Sequence, residues 1–367
     1  MNLLPESRFG FGCMRLPEKN GGIDIPAFRQ MVDLFLKEGF TYFDTAHVYH
    51  DGKSETALKE ALTSRYPREK YMLTDKLTMN MFSKREDIEK VFREQLDAAG
   101  VDYFDFYLMH AQTHENYGKY MKCHAYEEAV RFKKEGRVRH VGISFHDKAD
   151  VLEKILSEHP EIEAVQIQFN YVDYLDPGVQ SKAVYDVCEK YGKPVIVMEP
   201  CKGGGLINLP ENAAEIFEKL GGSHAGYAIR FAASFPSVKM VLSGMSSLLQ
   251  MQDNLSFMKD FKPLNEEEKE AVGKVRDIVR GMGAIPCTAC HYCTPGCPKN
   301  IPIPDLFACY NAKKQYRDWN SDFYYDVNTN GRGKAGDCIR CGQCEKMCPQ
   351  HIKIRDELKL VAKTFEH

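Results

Sequence analysis

The chain has no run of about twenty apolar residues, so nothing in it is long enough to form a membrane-spanning helix. Its charge is nearly balanced, 49 lysines and arginines against 52 aspartates and glutamates. A net charge of −3 leaves no electrostatic footprint for nucleic acid or an anionic membrane surface. The opening residues, MNLLPESRFGFGCMRLP, lack a basic stretch followed by an apolar one; no secretory signal is read and a cytoplasmic location is expected. No G-x-G-x-x-G follows the first apolar run, which argues against a doubly wound nucleotide-binding sheet, and no flavin fingerprint is found.

What is present fits a soluble globular protein: 367 residues, 43% hydrophobic and 28% charged, enough for one large domain and one small. From Arg8 to about Gly281, short apolar runs alternate with amphipathic stretches such as DIEKVFREQLDAAG and VLEKILSEHP. The runs RFGFG, TYFDT, KYMLTDK, DFYLMH, VRHVGIS, AVQIQFN, PVIVMEP and KMVLSG make eight candidate strands. Eight strands alternating with helices over this length predict a (β/α)8 barrel. The charged segment Pro263–Gly283 reads as one helix, and the boundary is set at its end: a barrel over 1–281 and a small α-rich domain over 282–367. In the second domain Ile303–Trp319 reads as helix and Asn320–Gly336 as loop.

Active sites of such barrels lie at the C-terminal strand ends. The second strand ends with Asp44, followed five residues later by Tyr49; the third carries Lys76, the fourth His110, the fifth Ser144, and the sixth Gln166 with Asn170 beyond it. A tyrosine is a poor acid at neutral pH unless a cation stabilises its phenolate, and Lys76 is placed to do that for Tyr49. Asp44 would hold Lys76, and His110 would donate to a carbonyl oxygen that gains negative charge. Taken singly, Tyr49 reads as a packing aromatic, His110 as an interior histidine, and Asp44 with Lys76 as a structural ion pair. Four such groups at the same ends of neighbouring strands favour the catalytic reading.

With GFGCMRLP, FDTAHVY, TDK, YLMH, VGIS, VQIQFN and SGMSSLLQMQDNL, residues 6–262 resemble the aldo-keto reductase family. The resemblance implies a barrel that binds NADP or NAD without a Rossmann fold. It implies a catalytic tetrad of Asp44, Tyr49, Lys76 and His110, with Tyr49 the proton donor in reduction of a small aldehyde or ketone, or the reverse alcohol oxidation. It further implies that Ser144 and Gln166 hold the nicotinamide carboxamide, and that Ser243, Gly244 and Met245, with Gln250 and Asn254 on the following helix, meet the adenosine phosphates. Three positions depart from the family pattern. Phe145 and His146 follow the serine of strand five, Met198 stands where many members stack an aromatic on the nicotinamide, and Gln250 stands where many NADP-dependent members carry arginine. Without that guanidinium a 2′-phosphate lacks a bidentate partner, unless Lys202 or Arg230 supplies one. The glycines of CKGGGL (Cys201–Leu206) suit either a phosphate approach, a lid hinge or a plain surface turn. The loop Ala111–His124, with His114, Tyr117 and Tyr120, is the candidate specificity segment.

Eight of the 13 cysteines fall in two runs of identical spacing, CTACHYCTPGCP (Cys287–Pro298) and CIRCGQCEKMCP (Cys338–Pro349). C-x2-C-x2-C-x3-C-P is the bacterial ferredoxin pattern, in which the fourth cysteine of each run ligates the other cluster. Two [4Fe–4S] clusters are therefore expected, one on Cys287, Cys290, Cys293 and Cys348, the other on Cys338, Cys341, Cys344 and Cys297. Zinc and a disulfide framework are the poorer readings. Cys309 reads as a buried helix residue. The tail resembles two-cluster ferredoxin domains, and the whole chain the iron–sulfur-containing branch of the aldo-keto reductase family. Electron exchange with a partner protein, redox sensing and fold stabilisation are all open roles for the clusters. The alternative to an enzyme is an electron-transfer protein whose barrel binds nucleotide or a partner. Hydride carries two electrons together whereas a [4Fe–4S] centre passes one, and nothing in the sequence bridges the two.

Overall fold

Each of the eight apolar runs forms a strand, and together they close into a parallel barrel: β1 Phe9–Gly12, β2 Tyr42–Asp44, β3 Met72–Leu77, β4 Phe104–Gln112, β5 Val138–Phe145, β6 Ala164–Gln168, β7 Val195–Met198 and β8 Val238–Ser243. The computed structural model describes residues 3–176, 179–281, 285–287, 289, 291–316, 319–348 and 350–366. Every strand pairs with its neighbours in parallel, and β1 closes the ring between β2 and β8.

Two-residue alternation places the site. Tyr42, Phe106, Leu108, Ala164, Ile196, Met240 and Leu242 form one buried apolar cluster. One step of two residues further along the strands, the same faces carry Asp44, His110, Gln166 and Met198. The barrel is thus plugged below and polar above. Outside it, Phe9, Phe11 and Phe43 pack on Phe28 and Phe35 of helix Ile25–Lys37, with ring centroids 5.3–6.1 Å apart. That helix starts where Asp24 accepts the Ala27 N–H, and it buries Phe28, Met31, Val32 and Phe35 at helical spacing. Helix Arg85–Ala99 begins with Asp87 accepting from Ser83 N and Lys84 N, and ends at Gly100 with φ 66°, a conformation that favours glycine.

The chain divides into two compact units, one of residues 1–169, 183–200 and 225–264, the other of 170–182, 201–224 and 265–367. The second unit therefore takes in the segments that follow β6 and β7. Its core gathers Ile301, Ile303, Leu306, Phe307, Tyr324, Tyr325, Ile354, Leu358 and Val361 with the buried Cys293, Cys309 and Cys344. Helix Ile303–Tyr316 matches expectation and packs on helices Asn320–Thr329 and Ile354–Phe365.

Asn320–Thr329 overturns the loop expected there. Its Asn, Ser, Asp and Thr content is that of turns, but Tyr324, Tyr325, Asn328 and Thr329 are buried, and tertiary packing overrides weak local propensity. Tyr325 stacks on Phe365 at 4.5 Å, and its hydroxyl donates to Glu366 and accepts the Ala335 N–H at 3.0 Å, fastening the end of this segment.

Candidate functional site

Lys76 is fully buried, and its ammonium has three neighbours. Nζ donates to Asp44 Oδ1 at 2.6 Å, to Thr45 O at 2.7 Å and towards Tyr49 OH at 3.2 Å. Burial acts against the charge, but Asp44 and then Tyr49 outweigh it, so the ammonium is held more firmly than a free lysine. Gln166 Nε2 donates to the other Asp44 oxygen at 3.0 Å. Tyr49 opens a short turn in which His50 and Asp51 take φ 51° and 55°, and its ring meets His110 edge-on at 6.1 Å.

The four tetrad residues expected from the sequence are brought together. Lys76 pulls the Tyr49 hydroxyl down, as expected, but in this site the net shift is upward. Burial is the largest influence; Lys76 pulls the other way, and Asp44 adds to the rise. His110 is held well below the usual histidine range by burial and by the Lys76 and His146 charges, so its ring is neutral. Its Nδ1 lies 2.7 Å from Thr78 Oγ1. Thr78 was missed from sequence, where it reads as a strand-end threonine. His146 is pushed to about 4 by burial and by Lys76.

The nucleotide-side candidates are distributed as follows. Ser144 Oγ accepts from Ala111 N at 2.7 Å, which fixes it beside His110. Met198 ends β7 opposite Gln168, half-buried. Ser243 Oγ accepts from Asn254 Nδ2 at 2.7 Å, Met245 is buried, and Gly244 is exposed beside Arg15. Ser247 caps helix Leu248–Met258 by accepting from Gln250 N at 3.2 Å, and Gln250 Oε1 accepts from Ser246 N at 2.7 Å. Gln250 is thus a helix-start residue. Of the cations considered to replace the missing arginine, Arg230 donates to Lys262 O and Pro263 O, and Lys202 is buried against Asp173 at 2.7 Å. Arg15, paired with Glu199 at 3.0 Å, is a further guanidinium that sequence patterns did not single out.

Tyr120 of the candidate specificity segment is buried, its hydroxyl 2.7 Å from Leu77 O and 2.9 Å from His110 O. Tyr117 is also buried, against Glu158 and His159; only His114 of the three is exposed.

In the second unit, Cys297, Cys338, Cys341 and Cys344 line one small cavity with Lys299, Ile303 and Arg355. A second small cavity is lined by Cys287, Cys293 and Cys348 with His291 and Phe307. Cys290 lies outside the described residues. No disulfide joins two of the described cysteines. Burial pushes Cys293 and Cys344 up to about 11 as thiols. Among the described residues, no three His, Cys, Asp or Glu side chains converge on a point the size of a single metal ion. The Ile301 N–H donates to Cys297 Sγ at 3.5 Å. Asn311 fastens the chain ahead of the first run, through Ile285 N at 2.8 Å and Ile285 O at 3.0 Å. Cys309 is buried in its helix.

A closed parallel barrel with a buried Asp–Lys pair and a tyrosine at its strand ends is the arrangement of a TIM-barrel enzyme. Comparison with known proteins makes this particular. Residues 8–277 match the model of the aldo/keto reductase family, and the chain belongs to that family of oxidoreductases. Residues 286–352 match the 4Fe-4S dicluster domain. An aldo-keto reductase of Mycobacterium avium (strain 104) is 28% identical over 246 residues, covering 67% of this chain and 80% of its own. Among solved structures, the holo form of an aldo-keto reductase from Bacillus halodurans (AKR11C1) superposes with TM-score 0.61 at 24% identity, covering 73% of this chain and 91% of its own. An aldo-keto reductase from Klebsiella pneumoniae in complex with NADPH gives TM-score 0.58 at 19% identity, with 73% and 90% covered. At these identities the structural likeness speaks for the fold. No described helix is long and apolar enough to cross a membrane.

Proposed function

We propose that the barrel reduces the carbonyl of a small aldehyde or ketone, or oxidises the corresponding alcohol, with Tyr49 as the proton donor. The observation that carries this is Lys76 Nζ, set between Asp44 Oδ1 at 2.6 Å and Tyr49 OH at 3.2 Å in a buried site. A bound NADP or NAD supplies the hydride. The phenolic proton of Tyr49 passes to the substrate oxygen, and the Lys76 ammonium faces the phenolate left behind. Asp44 and Thr45 O keep that ammonium from turning away. With the Thr78 hydroxyl, 2.7 Å away, donating to Nδ1 in the tautomer we propose, neutral His110 presents Nε2–H to the same substrate oxygen. Ser144 and Gln166, each fixed by one hydrogen bond, hold the carboxamide of the nicotinamide. The segment Ser243–Ser247, at the start of helix Leu248–Met258, receives its phosphates through backbone N–H groups other than that of Ser246, which Gln250 holds, with Asn254 steadying Ser243.

The tail, taken as residues 282–367, holds two [4Fe–4S] clusters: one on Cys287, Cys290, Cys293 and Cys348, the other on Cys297, Cys338, Cys341 and Cys344. The donor set fits, because each cavity draws cysteines from both runs. Such clusters supply one-electron redox chemistry, which suits exchange with an electron-transfer partner.

Tyr49→Phe tests the first reading. It should abolish benzaldehyde reduction by NADPH and NADH while leaving the iron–sulfur absorbance in place; retained turnover would overturn it. Anaerobically purified protein should contain about eight irons per chain, and zinc without iron would overturn the second.

A further inference from the structure

On the far side of β3 from the Lys76 ammonium, two acidic side chains meet where water does not reach. Asp75, on β3, and Glu55, on helix Ser54–Leu58, are both fully buried. Glu55 Oε2 lies 2.9 Å from His47 Nδ1, and Asp75 Oδ1 accepts the Lys76 backbone N–H at 2.7 Å. The other two oxygens, Glu55 Oε1 and Asp75 Oδ2, are buried with no hydrogen-bond partner among the described residues. Each is an acidic neighbour of the other, Glu55 being the strongest charge acting on Asp75. Carboxylate oxygens only accept, so a bond between two carboxyl groups needs a proton on one of them. Two adjacent carboxylates in a dry site also repel too strongly for both to ionise.

We propose that Glu55 and Asp75 share one proton between Glu55 Oε1 and Asp75 Oδ2, and that this acid–carboxylate pair is a positioning unit whose negative charge, beside Lys76 on β3, adds to the influences that make Tyr49 a weaker acid. The proposal rests on Tyr49 being the proton donor. Burial supports the shared proton, pushing Glu55 up to about 7, while burial and then the Glu55 charge hold Asp75 well above the carboxylate range.

The groups facing the pair are His47 from the segment after β2, Gln95 from helix Arg85–Ala99, Tyr107 from β4, and Lys76 next along β3. His47 is 37% exposed, so it links the pair to solvent. On the other side the line of hydrogen bonds ends at a backbone N–H, which cannot pass a proton on. The pair therefore acts through its charge and not as a conduit. The sign follows from position: negative charge on Asp75 makes Tyr49 a weaker acid. Loss of the shared proton as pH rises through neutrality should slow carbonyl reduction.

The test compares wild type with Asp75→Asn and, as a second variant, Glu55→Gln. Either amide donates to the remaining carboxylate and so keeps the native hydrogen bond with no titrating proton. Infrared spectra of the full chain at neutral pH should show a buried carboxylic-acid C=O band that both variants lose. Wild-type Tm should fall between about pH 5 and pH 8, because a carboxyl with a raised folded-state pKa loses stability across that window, and the variants should flatten this fall. For benzaldehyde reduction, wild-type kcat should drop about three- to tenfold from about pH 6 to pH 8.5, a span the variants should lack, since tenfold corresponds to one pKa unit. A wild type without the carboxylic-acid band overturns the shared proton. Identical pH profiles for kcat in wild type and both variants overturn the positioning role. Retained turnover in Tyr49→Phe would remove the donor reading while leaving the infrared and Tm results standing.

Discussion

Thr78 Oγ1 lies 2.7 Å from His110 Nδ1, a contact that couples the hydroxyl to the tautomer of the ring. A neutral imidazole has one donor nitrogen and one acceptor. If the threonine hydroxyl donates to Nδ1, the hydrogen sits on Nε2. Thr78→Val removes this control while keeping the shape. It should lower kcat for benzaldehyde reduction by about tenfold, the equivalent of one hydrogen bond, with Thr78→Ser restoring most of it. Steady-state kinetics on the three proteins checks this.

Cys297 belongs to the first run by sequence but lines the cavity of the second. Cys297→Ser and Cys338→Ser should therefore remove the same cluster, and Cys348→Ser the other. Each should leave about four irons per chain, measured by iron analysis. Electron paramagnetic resonance of the reduced proteins should give one shared spectrum for the first two variants and a different one for the third.

Glu89 is gripped by three arginines: Arg137 through two bonds of 3.0 Å, Arg131 at 2.6 Å and Arg93 at 2.6 Å. Arg137 contributes most, burial opposes, and the carboxyl is held down to about 2. A depressed carboxylate stabilises the fold above its unfolded pKa and loses that contribution as pH falls towards the folded value. Between about pH 4.5 and pH 2 the loss should be on the order of 2 kcal/mol, allowing for partial exposure. Glu89→Gln should remove this acid limb from urea-denaturation curves taken across that range.

Gly142 on β5 has no room for a methyl group. A Cβ there would sit 2.7 Å from Ala164 O and 2.7 Å from Leu108 Cδ2. One contact is backbone, so the strands must shift. Gly142→Ala should destabilise the barrel by about 1–3 kcal/mol, read from the midpoint of chemical denaturation.

The barrel was legible because burial imposes a period. TYFDT, DFYLMH and AVQIQFN could be recognised as strands, and their polar ends as a site, since residues two apart share a face and a closed barrel has only one polar rim to fill. Asp44, Lys76 and His110 followed from that rule; Tyr49, five residues past the strand, followed from the chemistry of an acid beside a lysine. The cysteine runs were legible for a different reason: four thiolates at fixed spacing state their chemistry locally.

Long-range partners were not legible. Thr78, Glu55 and Asp75 look like an ordinary strand-end threonine and two surface acids until the fold sets them against His110 and each other. The helix Asn320–Thr329 was hidden because its composition favours turns and only the packing of Tyr324 and Tyr325 makes it helical. The direction in which Tyr49 shifts also depended on tertiary structure, since a sequence shows the nearby lysine but not how thoroughly water is excluded. Residue type and spacing thus determined which groups are available and on which face. Burial, which exists only once distant segments close over a site, decided their protonation and their partners.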